Sequence, residues 1–237
     1  MQTTKLPILL LHGALGASSQ FKTLATQLEP HYDIHLLDFS GHGATPFSEK
    51  GFSIPVFASE VLEYLEQKQL DYTHIFGYSM GGYVAMYLAR HHPERIGRII
   101  TLATKYNWNE ATAGKEVRHL DPALIEEKVP VFARELETRH APGNWKEVVA
   151  HTAQLISDLG HQTLLKQPDY NQIISPCMLM MGDKDNMVSF QETIEVYRAL
   201  PQAQMTVLPD MAHPLEKVDV PLLAYFIKRF TTQKLDV

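Results

Sequence analysis

The sequence has one cysteine, no excess of basic residues and no long apolar run. Because Cys177 has no partner within the chain, no internal disulfide can form, as is typical of proteins from reducing compartments. Acidic residues outnumber basic ones by 27 to 21, giving a formal net charge of −6, whereas proteins that bind nucleic acid present a basic surface. The apolar run from Leu6 to Leu11 is interrupted by Pro7 and is too short for a membrane span, and Met1 to Pro7 lacks the features of a leader. We therefore expect a cytoplasmic protein that binds neither nucleic acid nor membranes.

Signals for cofactors and for a second domain are also missing. No spacing of His, Asp and Glu residues resembles a metal-binding motif, and neither the P-loop nor the dinucleotide-binding pattern occurs. No linker, repeat or low-complexity stretch interrupts the 237 residues, of which 45% are hydrophobic. We expect one domain over residues 1–237, with no metal and no cofactor. The sequence leaves the oligomeric state open, and a homodimer is one of the alternatives.

Short apolar runs alternate with helical patterns along the chain. The runs are mainly apolar and do not alternate strictly with polar residues, which is typical of strands that helices cover on both faces. Strand followed by helix, repeated, predicts an α/β fold with a mostly parallel sheet flanked by helices. The six predicted strands are Ile8 to Leu11, Ile34 to Leu37, His74 to Phe76, Ile99 to Ala103, Met178 to Met181 and Met205 to Leu208.

Residues 105–170 break this alternation, because only helical patterns occur there. Asp121-Pro122, and Asn144 with Glu147, are typical helix starts. Pro130 is expected to kink or split the helix in which it falls. We expect these helices to be inserted between two strands and to cover the strand ends as a cap or lid.

Residues 77–81 read Gly77-Tyr78-Ser79-Met80-Gly81, which is the G-x-S-x-G pattern of a nucleophilic serine. The pattern follows a predicted strand and precedes a predicted helix, which is the context that this motif requires. Glycines on either side relieve the crowding of a sharp turn that lifts the serine hydroxyl to the N-terminus of the helix. Ser79 is therefore predicted to be a nucleophile.

A serine hydroxyl needs a base, and the expected chain order is serine, acid, histidine. His213 follows the sixth predicted strand, and Asp183 and Asp185 follow the fifth. These strand ends are expected at the same edge of a parallel sheet as Ser79. Asp210, which is close to His213 in the sequence, is a weaker alternative for the acid, and we expect it to be a loop residue.

The negative charge that develops on a reacting carbonyl oxygen needs two backbone donors. One predicted donor is the N–H of Met80, directly after the nucleophile. The other is expected in the loop after the first strand, where we select Ala14. These two amides are predicted to form an oxyanion hole beside Ser79.

Several short segments share the motifs of one superfamily. They are His12-Gly13, Asp38 to Gly43, Gly77 to Gly82, Gly182 to Val188 and Ala212-His213-Pro214. Together they resemble the α/β-hydrolase superfamily over nearly the whole chain. The resemblance implies that Asp185 rather than Asp183 is the acid. It also implies a shortened N-terminal edge of the sheet, because the family usually has two antiparallel strands before the His-Gly strand.

The resemblance implies a serine hydrolase. The leading hypothesis is hydrolysis of a small carboxylic ester or thioester through an acyl-enzyme on Ser79, with His213 as general base and Asp185 as the orienting acid. The alternatives are a triad-dependent C–C bond lyase or hydrolase, a cofactor-free perhydrolase and a non-catalytic ligand-binding member of the fold. The turn at Ser79 also resembles that of menaquinone-pathway C–C lyases, which usually carry an arginine where this chain has Tyr83.

The substrate pocket is predicted from residue type alone. Aromatic side chains of the helical stretch are candidates for its wall, although they are equally expected to form the core of the cap itself. The predicted pocket residues are Leu15, Tyr106, Trp108, Phe132 and Trp145.

Overall fold

A parallel β-sheet runs through the centre of the protein. The computed structural model describes residues 5–233, so residues 1–4 of the stretch without leader features lie outside the described part. The strands are β1 (Leu6–Leu11), β2 (Tyr32–Leu37), β3 (Thr73–Tyr78), β4 (Ile96–Leu102), β5 (Cys177–Gly182) and β6 (Ala203–Leu208). They pair in the order β2-β1-β3-β4-β5-β6, and every pairing is parallel. The predicted parallel α/β fold, with all six of its strands, is confirmed.

Helices cover both faces of the sheet. They are α1 (Lys22–Leu28), α2 (Ile54–Gln67), α3 (Met80–His91), α4 (Glu110–Val117), α5 (Pro122–Lys128), α6 (Pro130–His140), α7 (Trp145–His161), α8 (Gln167–Tyr170), α9 (Phe190–Ala199) and α10 (Val220–Thr232). None of these helices is long and apolar enough to cross a bilayer.

Two hydrophobic cores lie on opposite faces of the sheet, because successive strand residues point to opposite sides. On one face Leu9 and Ile75 belong to the core that contains the buried residues of α2 and α3. On the other face Ile8 and Phe76 belong to the core that contains the buried residues of α1 and α10. All six residues of β3 and of β5 are buried, so the two strands that precede Ser79 and Asp185 are firmly packed.

Residues 105–170, here called the helical segment, contain α4 to α8 and connect β4 to β5. Pro130 occupies the first position of α6, and α5 ends at Lys128, so the expected split occurs there. A third core, here called the cap core, packs Leu15 of the β1 loop against α5, α6 and α7. Its buried members are Leu15, Ile125, Ala133, Leu136, Trp145, Val148 and Val149.

Candidate active site

Ser79 lies in the sharp turn between β3 and α3, with φ of 50° and ψ of −114°. This left-handed backbone is unfavourable for a residue with a side chain, and costs about 1–3 kcal/mol. The surrounding contacts enforce it: a Cβ on Gly77 would lie 2.5 Å from the Gly81 carbonyl oxygen, and a Cβ on Gly81 would lie 2.3 Å from the Leu11 carbonyl oxygen. Both glycines are therefore needed for the close approach of α3 to β1 and β3.

The structure brings Ser79, His213 and Asp185 together at the carboxyl edge of the sheet. The Oγ of Ser79 lies 3.3 Å from the Nε2 of His213. The Nδ1 of His213 lies 2.9 Å from the Oδ2 of Asp185. Since a carboxylate only accepts hydrogen bonds, Nδ1 carries a proton and Nε2 is left to accept the proton of the serine hydroxyl. The imidazole is buried, so this tautomer is held away from bulk solvent.

The neighbouring acidic residues have different roles. Asp185 has a fully buried side chain, and it accepts hydrogen bonds from the backbone N–H groups of Met187 at 2.9 Å and Val188 at 3.0 Å. Burial raises the pKa of Asp185, but the bond to His213 and the two amides outweigh burial and hold the pKa below its usual value. Because of this lowered pKa, Asp185 remains ionised opposite the imidazole. Asp183 does not contact the ring and instead accepts the backbone N–H of Met211 at 3.2 Å.

Asp210, the third candidate acid, is an exposed loop residue. Its carboxylate pairs with the Lys184 ammonium, and that hydrogen bond lowers the pKa of Asp210. The geometry therefore places only Asp185 of the three candidates against the ring of His213.

Tyr78 supports the histidine loop from inside the turn, a role that the sequence did not reveal. Its hydroxyl donates to the carbonyl oxygen of His213 at 2.9 Å. Burial raises the pKa of the Tyr78 phenol, so the proton that makes this bond is retained at neutral pH. Tyr78 is one of the two variable positions of the motif, and the motif itself carries no signal for this contact.

The predicted oxyanion donors, Ala14 and Met80, line the same cavity as Ser79. Within residues 5–233, neither of their backbone N–H groups donates a hydrogen bond to another protein group. The carbonyl oxygen of Gly13 accepts from the Gly16 N–H at 3.0 Å and lies 2.8 Å from the His12 Nδ1. Because a trans peptide directs its C=O and N–H in opposite directions, holding the Gly13 carbonyl also fixes the direction of the Ala14 N–H.

His12 holds that loop as a neutral ring. Its Nε2 accepts the backbone N–H of Phe39 at 3.2 Å, so Nδ1 carries the proton and donates to the carbonyl of Gly13. Complete burial lowers the pKa of His12 to about 4, even though its bond to Gly13 opposes the shift. The ring therefore stays uncharged at neutral pH and keeps the tautomer that the loop requires.

Two side chains of α6, which the sequence did not single out, hold the next residue of the loop. Arg139 donates from Nη1 to the carbonyl oxygen of Leu15 at 2.9 Å. The fully buried His140 has its Nε2 at 3.1 Å from the same oxygen, while its Nδ1 accepts the N–H of Gly43 at 3.1 Å. Leu15 itself has a φ of 57°, which is strained for a residue with a side chain. Two donors from the helical segment therefore hold a strained residue directly after Ala14, the proposed oxyanion donor.

A cavity of about 550 Å³, counted out to its open mouth, lies between Ser79 and the helical segment. Its wall is mainly apolar, with contributions from α2, α3, α4 and α7. The residues that line it are Ala14, Ile54, Ser79, Met80, Tyr83, Lys105, Trp108, Glu116, Leu155, Ile156, Leu159, Met187, Val188 and His213.

Of the five predicted pocket residues, only Trp108 lies in this wall. Leu15, Phe132 and Trp145 belong to or pack against the cap core, because the apolar faces of α6 and α7 turn toward each other and toward the β1 loop. The buried Tyr106 makes a hydrogen bond of 2.7 Å to the hydroxyl of Thr101 on β4. These four assignments are corrected accordingly, since burial within the protein and exposure to a cavity look alike in a sequence.

The family profile of the α/β-hydrolase fold matches residues 7–141, which is more than half of the chain. This chain belongs to the α/β-hydrolase family. The match includes the β1 loop and the turn at Ser79, whereas Asp185 and His213 lie beyond it. Their assignment therefore depends on the geometry described above.

Two relatives with curated names show where the likeness is concentrated. A pimeloyl-(acyl-carrier protein) methyl ester esterase of Aeromonas salmonicida (strain A449) is 38% identical over 98 residues, which cover 41% of this chain but only 37% of that relative. A Bacillus subtilis (strain 168) protein, provisionally named a 2-succinyl-6-hydroxy-2,4-cyclohexadiene-1-carboxylate synthase, is 24% identical over 251 residues, covering 95% of this chain and 90% of that relative. The higher identity is thus confined to less than half of the α/β-hydrolase chain.

A solved structure extends the likeness to the whole fold. The enzyme MGS-M2, an alpha/beta hydrolase from a Medee basin deep-sea metagenome library, superposes with a TM-score of 0.82 at 14% identity, covering 100% of this chain and 93% of that one. At this identity the likeness establishes the fold of the α/β-hydrolase chain.

Proposed function

We propose that this α/β-hydrolase cleaves small carboxylic esters or thioesters through an acyl-enzyme on Ser79. The observation that carries the proposal is the continuous chain of hydrogen-bonding atoms from Ser79 Oγ through His213 to Asp185, at 3.3 Å and 2.9 Å. The named esterase relative supports the ester class for the part of the chain that it matches.

In the first half-reaction Ser79 Oγ attacks the acyl carbonyl carbon while His213 Nε2 takes the hydroxyl proton. The carbonyl oxygen becomes an oxyanion that accepts hydrogen bonds from the N–H groups of Ala14 and Met80. When the tetrahedral intermediate collapses, His213 returns the proton to the departing alcohol or thiol. The acyl group is then bound to Ser79 as an ester.

In the second half-reaction water replaces the alcohol. His213 takes a proton from the water, the hydroxide attacks the acyl carbonyl carbon, and the same two amides hold the oxyanion. Collapse releases the carboxylic acid and returns the proton to Ser79 Oγ. Asp185 stays ionised throughout and stabilises the imidazolium in both half-reactions.

The helical segment is assigned the role of a lid over a single domain. It connects β4 to β5, and six of its residues line the cavity that reaches Ser79. These are Lys105, Trp108, Glu116 and the α7 residues Leu155, Ile156 and Leu159. Such a lid excludes water from the reacting bond and selects the substrate.

Cleavage of a C–C bond is the second candidate function. It is favoured by the Bacillus subtilis relative, which matches 95% of this chain. It is opposed by Tyr83, because the menaquinone-pathway C–C lyases usually carry an arginine at this position. The Tyr83 hydroxyl lies within 3.5 Å of the Thr163 hydroxyl and accepts the Leu165 N–H at 3.1 Å, so its polar end is already engaged.

The test is to assay the purified protein against p-nitrophenyl esters, acyl thioesters and 1,3-dicarbonyl compounds. We expect ester turnover that disappears in Ser79→Ala and persists in the control Ser59→Ala, whose hydroxyl donates to the Glu63 carboxylate at 3.1 Å. Cleavage of the dicarbonyl compounds without ester turnover would favour the lyase instead. A wild-type protein that binds these compounds without converting any would indicate a non-catalytic member of the fold.

A further inference from the structure

The cavity wall contains one pair of charged side chains that the proposed chemistry does not use. Lys105 follows β4 and Glu116 lies on α4, and their Nζ and Oε1 atoms are 3.6 Å apart. Their side chains are only 13% and 15% exposed. Apart from this pair and the reacting residues Ser79 and His213, the wall is almost wholly apolar. Charged groups in such surroundings lower stability unless they are well paired or serve a ligand.

The pair has hydrogen-bonding capacity left over. Lys105 donates to the Met187 carbonyl at 2.8 Å, but its separations of 3.6 Å from Glu116 and 4.0 Å from Glu192 exceed hydrogen-bond distance. Within residues 5–233, no protein donor is within hydrogen-bond distance of the Glu116 carboxylate. A substrate group that both donates and accepts would complete the contacts of the two side chains at once.

The charges restrict what that substrate group can be. Glu192 lies 4.0 Å from Lys105 and accepts the N–H groups of Tyr106 and Ser189, each at 3.0 Å, so its carboxylate is firmly held beside the ammonium. One ammonium therefore faces two carboxylates: Glu116 in the cavity wall and Glu192, which is near Lys105 but does not line the cavity, so this cluster of three side chains carries a net negative charge. A substrate carboxylate would be repelled there, whereas an uncharged donor and acceptor would not.

We infer that this α/β-hydrolase prefers esters whose acyl chain carries an uncharged hydroxyl or amide, which donates to Glu116 and accepts from Lys105. The acyl chain is the part concerned, because the leaving alcohol must depart before water attacks, while the acyl group stays in the enclosed cavity between the two half-reactions. This inference names the substrate class of the proposed esterase and depends on that function.

The test compares three sets of p-nitrophenyl esters, from butanoate to octanoate: unsubstituted, ω-hydroxy and ω-carboxy. The readouts are the kcat/KM ratios of each substituted ester to the unsubstituted ester of equal length. At the best length, we expect the ω-hydroxy ester to exceed the unsubstituted ester by about tenfold to a hundredfold, because a hydrogen bond to a charged group is worth about 1.5–3 kcal/mol, and the ω-carboxy ester to fall below the unsubstituted ester.

Three variants separate charge from shape. Glu116→Gln removes a negative charge at constant shape and is expected to raise the ω-carboxy ratio, whereas Lys105→Met removes the positive charge and is expected to lower it. Glu116→Met removes the acceptor and is expected to lower the ω-hydroxy ratio by about tenfold. The control is Glu126→Gln, which breaks an exposed pair with Lys146 of 2.7 Å outside the cavity wall and is expected to leave both ratios unchanged.

The inference is overturned if the ω-carboxy ester or the unsubstituted ester is the best substrate of the wild type at every chain length. It is equally overturned if Glu116→Gln and Lys105→Met shift the ω-carboxy ratio in the same direction, or if neither shifts it. Calorimetric binding of ω-hydroxy and ω-carboxy N-alkyl amides to the Ser79→Ala protein tests the same preference without turnover. Failure of the wild type on every ester would therefore contradict the proposed function, while the binding preference judges the inference separately.

Discussion

The Ser79 edge of the sheet and the helical segment above it place their residues in different ways. At the sheet edge, Ser79, Asp185 and His213 each follow a strand of the sheet directly or after a short loop, and backbone groups fix the surroundings of Asp185. In the helical segment, position depends on how α5, α6 and α7 pack against one another and against Leu15. A local motif thus determines the first region, and tertiary packing determines the second.

The largest expected effect tests the sheet edge. Asp185→Asn keeps the shape of the side chain but donates where the carboxylate accepted, which favours the wrong tautomer of His213. We expect kcat to fall by about 10⁴-fold, as in serine proteases. Ester hydrolysis at neutral pH measures it. The matched control is Asp210→Asn, an exposed acid that does not contact His213, and equal losses in both variants would contradict the assignment.

The next effect separates the cap core from the cavity wall. Trp145 is buried in the cap core, so Trp145→Ala is expected to lower the free energy of unfolding by about 3–5 kcal/mol. Trp108 lines the cavity, so Trp108→Ala is expected to shift chain-length preference toward longer acyl groups with a smaller loss of stability. Urea denaturation and an ester series measure the two responses. Equal losses of stability together with equal shifts in chain-length preference in the two variants would contradict the placement of Trp145 in the cap core and Trp108 in the cavity wall.

A smaller effect tests the contact between the two regions. His140→Leu removes the bonds to the Leu15 carbonyl and the Gly43 N–H, which loosens the loop that carries Ala14. We expect kcat to fall by about tenfold at unchanged KM, less than the 10²–10³-fold cost of deleting an oxyanion donor outright. The control is His161→Gln, an exposed residue on α7. Lower stability with full kcat would show that His140 acts on folding alone.

The smallest effect concerns pH. Burial lowers the pKa of His12 from 6.5 to about 4, so between these values the unfolded chain takes up a proton that the native ring refuses. The free energy of unfolding must therefore fall as the pH drops through this window, with about 1–3 kcal/mol from His12. Urea denaturation at several pH values measures the slope. His12→Gln is expected to flatten it, and an unchanged slope would contradict the buried neutral ring.

The sequence predicted the sheet well because its strands are short, mainly apolar runs separated by loops and helical patterns. Ser79 and His213 were predicted from their motifs and from their positions after such runs, whereas the choice of Asp185 over Asp183 came from the resemblance to the α/β-hydrolase superfamily. The sequence did not predict Tyr78, Arg139 or His140, because their contacts join residues more than a hundred positions apart. Four of the five pocket residues were misplaced for a different reason, since large hydrophobic and aromatic side chains suit a core and a cavity equally well.

The most direct test of the central claim is the site of covalent labelling by a fluorophosphonate, which reacts with serine only when the hydroxyl is activated. After treatment of the native protein, intact mass and peptide mapping are expected to show one adduct, on the peptide that contains Ser79. The adduct should be lost in Ser79→Ala and strongly reduced in His213→Ala. A native protein that takes no label, or one labelled on another residue with Ser79 unmodified, would contradict the account.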